Sequence, residues 1–273
     1  QVRELIIATD ANGQNILHWA ASIGCKGTFE AVLEALGSRF TREEVKNLVS
    51  ASTAAAADDI FSESRTVLNS AACSGGEDVF SAVLTELENI WPAWRVTRMM
   101  VYEDIGFQEN ILHSAIKSGS KGAFNNVLAS LKRRLTDTEV RDFVLRADEG
   151  QTILHAAAEG GSKDMFEAVM GALHKAFDPE KVKKILGSTA KHGKTILQFA
   201  ARSGNKESFE AVLSAVSEAF NADKVKSMMM WSSRNSTGNV LRSAASSGSG
   251  DTFEAVLASL EVELPPAKVT LSC

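Results

Sequence analysis

The residues of this chain whose types could do chemistry are five histidines, three cysteines and one glycine-lysine-threonine string. His18, His113 and His155 would be acid–base hardware if a carboxylate or nucleophile lay within hydrogen-bond reach. Each follows a leucine at the same place in a recurring pattern, so they are dispersed along the chain and do not converge on one site. That dispersal points to a structural role. His174 and His192 match no motif. Cys25, Cys73 and Cys273 fall at unrelated places, which describes neither a disulfide framework nor a zinc site; reduced thiols in a reducing intracellular compartment are the expectation. Gly187 and Gly193-Lys194-Thr195 look like a phosphate-binding loop, but that loop needs four residues between its glycines for the backbone N–H groups to converge, and here there are five. With no Ser-His-Asp constellation and no paired carboxylates, the expectation is no enzyme, no cofactor and no metal.

The elements that carry these residues repeat. Leu17, Leu68, Leu112, Leu154, Leu197 and Leu241 follow one another at spacings of 51, 44, 42, 43 and 44 residues. Three residues after each leucine stands alanine (Ala20, Ala71, Ala115, Ala157, Ala200, Ala244), and seven after it glycine (Gly24, Gly75, Gly119, Gly161, Gly204, Gly248). Twelve after it stands phenylalanine (Phe29, Phe80, Phe124, Phe166, Phe209, Phe253). Phe166, Val169, Met170, Leu173 and Phe177 fall on one stripe of a helix, as do Phe29, Val32, Leu33, Leu36 and Phe40. Alanine admits a close neighbour, and glycine ends the short helix in a conformation that costs other residues more. Each copy is therefore a short helix, a glycine stop and a longer helix with one apolar face.

A third element follows the longer helix. Thr41-Arg42-Glu43-Glu44 and Thr136-Asp137-Thr138-Glu139 are capping boxes, Asp178-Pro179 is a cap with proline at the first helical position, and Asn221 is a further cap. Val2-Arg3-Glu4-Leu5-Ile6 matches the same element, and so does Ala267-Lys268-Val269. The sequence then divides into units of approximately 10–50, 61–101, 105–146, 147–188, 190–231 and 234–273, in one array cut at the same phase at both ends. Such a chain reads as a window from a longer array whose end faces continue or meet a partner. The start at Gln1 without Met suggests an upstream segment.

Length alone would suit two ordinary domains, but the internal repetition overrides that. The 273 residues are 44% hydrophobic and 23% charged, as expected of a chain that forms a core. A net charge of -5 argues against a general nucleic-acid binder, and Lys132-Arg133-Arg134 reads as a solvated helix end. No apolar run reaches the roughly 20 residues of a membrane span. The Asn235-Ser236-Thr237 sequon carries little weight without a secretory signal.

The string Gly150-Gln151-Thr152-Ile153-Leu154-His155-Ala156-Ala157-Ala158-Glu159-Gly160-Gly161 resembles the ankyrin repeat. Gly13 to Gly24 and Gly193 to Gly204 are further good copies, and the likeness covers about the first 27 residues of every unit. It departs from the family pattern in three ways. Ile or Val replaces the proline before the leucine; the period is about ten residues longer, by the third helix; and the motif histidine becomes Asn69, Gln198 and Arg242 in three units. The resemblance implies an all-α solenoid of six stacked helical hairpins, each followed by a short third helix. It also implies that the histidine bonds the turn of an adjacent repeat and that partners bind the concave side. Armadillo or HEAT arrays have a similar period but lack the Ala-Ala-x-x-Gly string.

On that resemblance, the residues two, five and six after each leucine line the concave side: Trp19, Ser22 and Ile23; Ser70, Cys73 and Ser74; Ser114, Lys117 and Ser118; Ala156 and Glu159; Phe199, Arg202 and Ser203; Ser243, Ser246 and Ser247. They vary while the frame does not. Trp19 and Phe199 are large aromatics among small polar residues, the type that dominates interfaces, although filling a gap between units is the alternative. Irregularities mark a second candidate surface. The long first spacing inserts a loop near 54–64, and Trp91-Pro92-Ala93-Trp94 replaces a plain connection. Trp91 takes the stripe position of Phe40, which predicts a core residue, and Trp94 is left as a contact. The sequence thus predicts a scaffold or adaptor for another protein. The alternatives are a structural subunit of a large assembly and the regulatory arm of a longer enzyme.

Overall fold

The computed structural model describes residues 2–51, 66–101, 110–146, 151–190, 193–231 and 238–263. The segment 54–64, Gly150, His192, the Asn235 sequon, Ala267-Lys268-Val269 and Cys273 lie outside the described residues. The fold is all-α, with no strand among the described residues. Two compact units divide the chain, Gln1–Asp148 and Glu149–Cys273.

The first unit contains α1 (Val2–Ile7), α2 (Ile16–Ser22), α3 (Lys26–Gly37), α4 (Arg42–Val49), α5 (Val67–Cys73), α6 (Glu77–Ile90), α7 (Ala93–Met100), α8 (Ile111–Lys117), α9 (Lys121–Lys132) and α10 (Asp137–Leu145). The short helices α2, α5 and α8 stack side by side as one layer, and α3, α6 and α9 stack as a second. Each of α4, α7 and α10 packs on the second helix of its own repeat. The second unit repeats the plan with α11 (Ile153–Glu159), α12 (Lys163–Ala176), α13 (Pro179–Leu186), α14 (Ile196–Arg202), α15 (Lys206–Ala219), α16 (Ala222–Met230), α17 (Val240–Ser246) and α18 (Gly250–Glu263). There α11, α14 and α17 form the first layer, and α12, α15 and α18 the second.

The short helices are seven residues long, too short to persist alone, so caps and neighbours must hold them. Asn15, Asn110 and Asn239 accept backbone N–H groups of the first turn. At the other end Gly24, Gly75, Gly119, Gly161, Gly204 and Gly248 all have φ between 67° and 78°, in the left-handed region. Six copies of one sequence motif thus share one backbone geometry. Behind the turn, Phe29, Phe80, Phe124, Phe166 and Phe209 are buried, and the six alanines three residues after the leucines let the short helices approach closely. Thr41 with Glu44, and Thr136 with Glu139, close the predicted capping boxes, with backbone N–H donation to each glutamate at 2.8 Å.

Trp91 departs from its predicted core position. It is half-buried, its Nε1–H donates to Ser50 Oγ at 2.6 Å, and its ring lies between the Lys46 ammonium and the Arg95 guanidinium, 4.0 and 3.2 Å from the centroid. Indole is amphipathic and attracts cations to its face, so it sits at the boundary where both demands are met.

Candidate functional site

The histidines are part of the frame. The Nδ1 of His18 accepts the Asn15 N–H at 3.2 Å, and that of His155 accepts the Thr152 N–H at 3.3 Å. Gln198 does the same with its Oε1, which accepts the Thr195 N–H at 2.9 Å. The residue after the leucine therefore occupies the position of the glutamate in a capping box and ties down the start of its own helix. Groups at this cap also reach toward the following loop. Asn15 Nδ2 donates to the Leu48 carbonyl at 2.9 Å, and Gln198 Nε2 donates to the carbonyls of Trp231 and Gly238 at 3.2 and 2.7 Å. Burial pushes the His155 imidazole down to about 4, with the Ser188 backbone opposing that shift.

The glycine-lysine-threonine string is a repeat turn. Gly193 N–H donates to the Ala190 carbonyl and Ala190 N–H to the Lys194 carbonyl, both at 2.9 Å, with Gly193 at φ 73°. Gly13 N–H to Asp10 O and Asp10 N–H to Gln14 O reproduce that pattern in the first repeat. These amides are engaged by backbone carbonyls and do not converge on an anion. Cys25 and Cys73 are free thiols, and among the described residues no group of three His, Cys, Asp or Glu is placed to hold a metal ion. No helix of the described residues is long and apolar enough to cross a membrane.

The first helices do expose a variable side. Trp19 and Ile23 are 54% and 65% exposed on α2, with Ser22 beside them. Cys73 is half-buried on α5, and Lys117 is exposed on α8. In the second unit Glu159, Arg202 and Ser246 are exposed at matching places on α11, α14 and α17, and Glu159 accepts from Gln151 Nε2 at 3.0 Å. Trp94 is 66% exposed, but it stands at the start of α7, apart from the first helices.

Two parts of the expected surface need correction. Phe199 is 5% exposed; its ring meets His155 edge to face at 5.3 Å, so it fills the space between α11 and α14. The serines six residues after the leucines are brackets of the turn. Ser74, Ser118, Ser203 and Ser247 each donate to the carbonyl three residues back at 2.6–2.7 Å. The same oxygens accept the N–H two residues on, closing the turn into the second helix.

What the residue-by-residue reading missed lies between α14 and α17. A cleft of about 290 Å³ there is lined by Arg202 and Ser246, as expected, and also by Lys194, Gln198, Arg242 and Ser243, with Phe199 in its wall. The available signal was Arg242, an arginine at the place where five other repeats carry His, Asn or Gln.

A family model for ankyrin repeats, in three copies, matches residues 112–227. Residues 112–227 are ankyrin repeats. Their Leu, Ala, Gly and Phe frame extends the same pattern on both sides of the matched residues. No curated protein matches the sequence. Among solved structures, a chain of the crystal structure of the yeast ribosomal protein Rps3 in complex with its chaperone Yar1 is similar at 19% identity and a TM-score of 0.43, over 54% of this chain and 89% of that one. Ankyrin repeats are interaction modules, and the match supports a protein–protein interaction role.

Proposed function

We propose that this chain is a non-enzymatic scaffold or adaptor that binds a protein partner on the exposed side of its first helices. One observation carries the reading: the place five residues after each leucine holds Ser22, Cys73, Lys117, Glu159, Arg202 and Ser246, while the buried frame and the six turn glycines stay the same. A surface that changes charge and size on a constant frame suits an irregular partner. A photocrosslinking amino acid at Ser22 or Arg202, compared with one at Thr85 or Glu210 on the second helices, tests it in the native extract. Defined adducts from the first pair alone are expected; adducts from the second pair alone would overturn the assignment.

A second reading, a permanent subunit of a larger assembly, draws support from α1 and α2, where Leu5, Ile7, Trp19 and Ile23 are all at least 50% exposed. The native mass of the full chain decides between them, since a free monomer argues against the subunit.

A further inference from the structure

The geometry points to an acidic segment of a partner protein as the occupant of the cleft between α14 and α17. This inference rests on the scaffold reading above and names the chemistry of the partner at one place on that surface. The cleft is walled by three cations from three places in the chain: Lys194 from the turn before α14, Arg202 from the last turn of α14, and Arg242 from the first turn of α17. Among the described residues no carboxylate lines it.

The neutral donors are already engaged. Gln198 Nε2 donates to two carbonyls, Ser243 Oγ donates to Asn239 O at 3.1 Å, and Ser246 Oγ donates to Ser243 O at 2.8 Å. Donors that remain for a ligand are therefore those of the ammonium and the two guanidinium groups. Charged donors of this kind select a ligand that brings negative acceptors, and a guanidinium fork matches a carboxylate in two parallel hydrogen bonds. Phe199 adds an apolar wall, with the Lys194 Nζ 5.9 Å from its ring centroid. The best match is a short peptide with acidic residues around one apolar side chain. A nucleic-acid strand is disfavoured by the net charge of -5 and by Glu159, which stands at the matching place on α11.

Fluorescence anisotropy on the full chain tests this with a short labelled peptide of Glu and Leu, its counterpart with Gln for Glu, and a single-stranded oligonucleotide of equal length. The Glu peptide is expected to bind saturably, the Gln peptide about tenfold more weakly, and the oligonucleotide no better than the Gln peptide. Arg202→Glu with Arg242→Glu is expected to weaken the Glu peptide about tenfold without lowering the melting temperature. Arg202→Gln with Arg242→Gln should give an intermediate loss, and Ser22→Arg should leave binding unchanged. Undiminished binding to the double reversal, or an oligonucleotide that binds as tightly as the peptide, would overturn the inference. If the Glu peptide fails while the photocrosslinker at Arg202 still captures a partner, this inference falls and the scaffold reading stands. If both fail, the scaffold reading falls with it.

Discussion

Between α14 and α17 the lining is cationic, with Lys194, Arg202 and Arg242, whereas the groove between α12 and α15, about 550 Å³, is lined by Glu167, Glu207, Glu210 and Glu218 with Lys163 and His174. Both lie in the second unit, on the two layers of adjoining repeats. In the outer groove the helices run for fourteen residues, long enough to pair their own charges: Lys163 with Glu167 and Lys206 with Glu210, each at 3.8 Å and four residues apart. The floor of that groove is Phe166 and the half-buried Met170, members of the apolar stripe. A seven-residue helix exposes too few positions for such pairing, and Arg202 and Arg242 are each the one charged residue of their own helix, α14 and α17. The difference teaches that charge on α12 and α15 serves the helix, while Arg202 and Arg242 pair within no helix of their own, which is what the proposed acidic ligand would use.

The sharpest way to break that comparison is at the outer floor. Phe166→Ala removes a side chain only 2% exposed and should lower unfolding free energy by about 3–5 kcal/mol in urea titration. A loss below about 1 kcal/mol would show that the groove is not a seam of the core. The wall of the inner cleft is tested by acid. Burial holds His155, which packs on Phe199, down to about 4 in the fold against the ordinary 6.5 of a histidine, so the unfolded chain takes up the proton first as pH falls. Stability from this group is complete above pH 6.5 and is lost on descending through about 4, by up to about 3 kcal/mol. His155→Gln, the residue type that the next repeat uses at Gln198, should flatten urea midpoints across that window; an unchanged pH slope would remove His155 as its source.

Gly161→Ala imposes a Cβ at φ 67° and within 3.2 Å of Ser203 Cβ, and should cost about 1 kcal/mol by thermal melting. The smallest effects belong to exposed charge. Glu210→Ala on the outer layer should change stability by no more than about 0.5 kcal/mol, and the Arg202 and Arg242 reversals by as little, since none of these groups is buried. A stability loss from the reversals that matched the loss of peptide binding would make the cleft a structural feature and erase the contrast between the two layers.

Much of this was legible beforehand because it is written in short-range pattern. The leucine, alanine, glycine and phenylalanine spacings, and the caps at Thr41, Thr136, Asp178 and Asn221, specify helix starts, stops and faces within a few residues of chain. The exposure of Trp19, Arg202 and Ser246 followed from the same registers. Phe199 was not legible in this way, because whether an aromatic points to solvent or into a seam depends on His155, a residue one repeat away. Neither were the bracket serines such as Ser203, whose hydroxyl turns back to its own backbone, nor the half-buried Trp91 between Lys46 and Arg95.

By itself, then, the sequence determined the repeat, its phase and its buried frame, since hydrophobic period and capping act locally. Only the tertiary structure decided which variable residues share a cleft. Lys194, Arg202 and Arg242 meet in one cleft because α14 and α17 stack, and stacking brings together residues about one repeat apart that no local pattern relates.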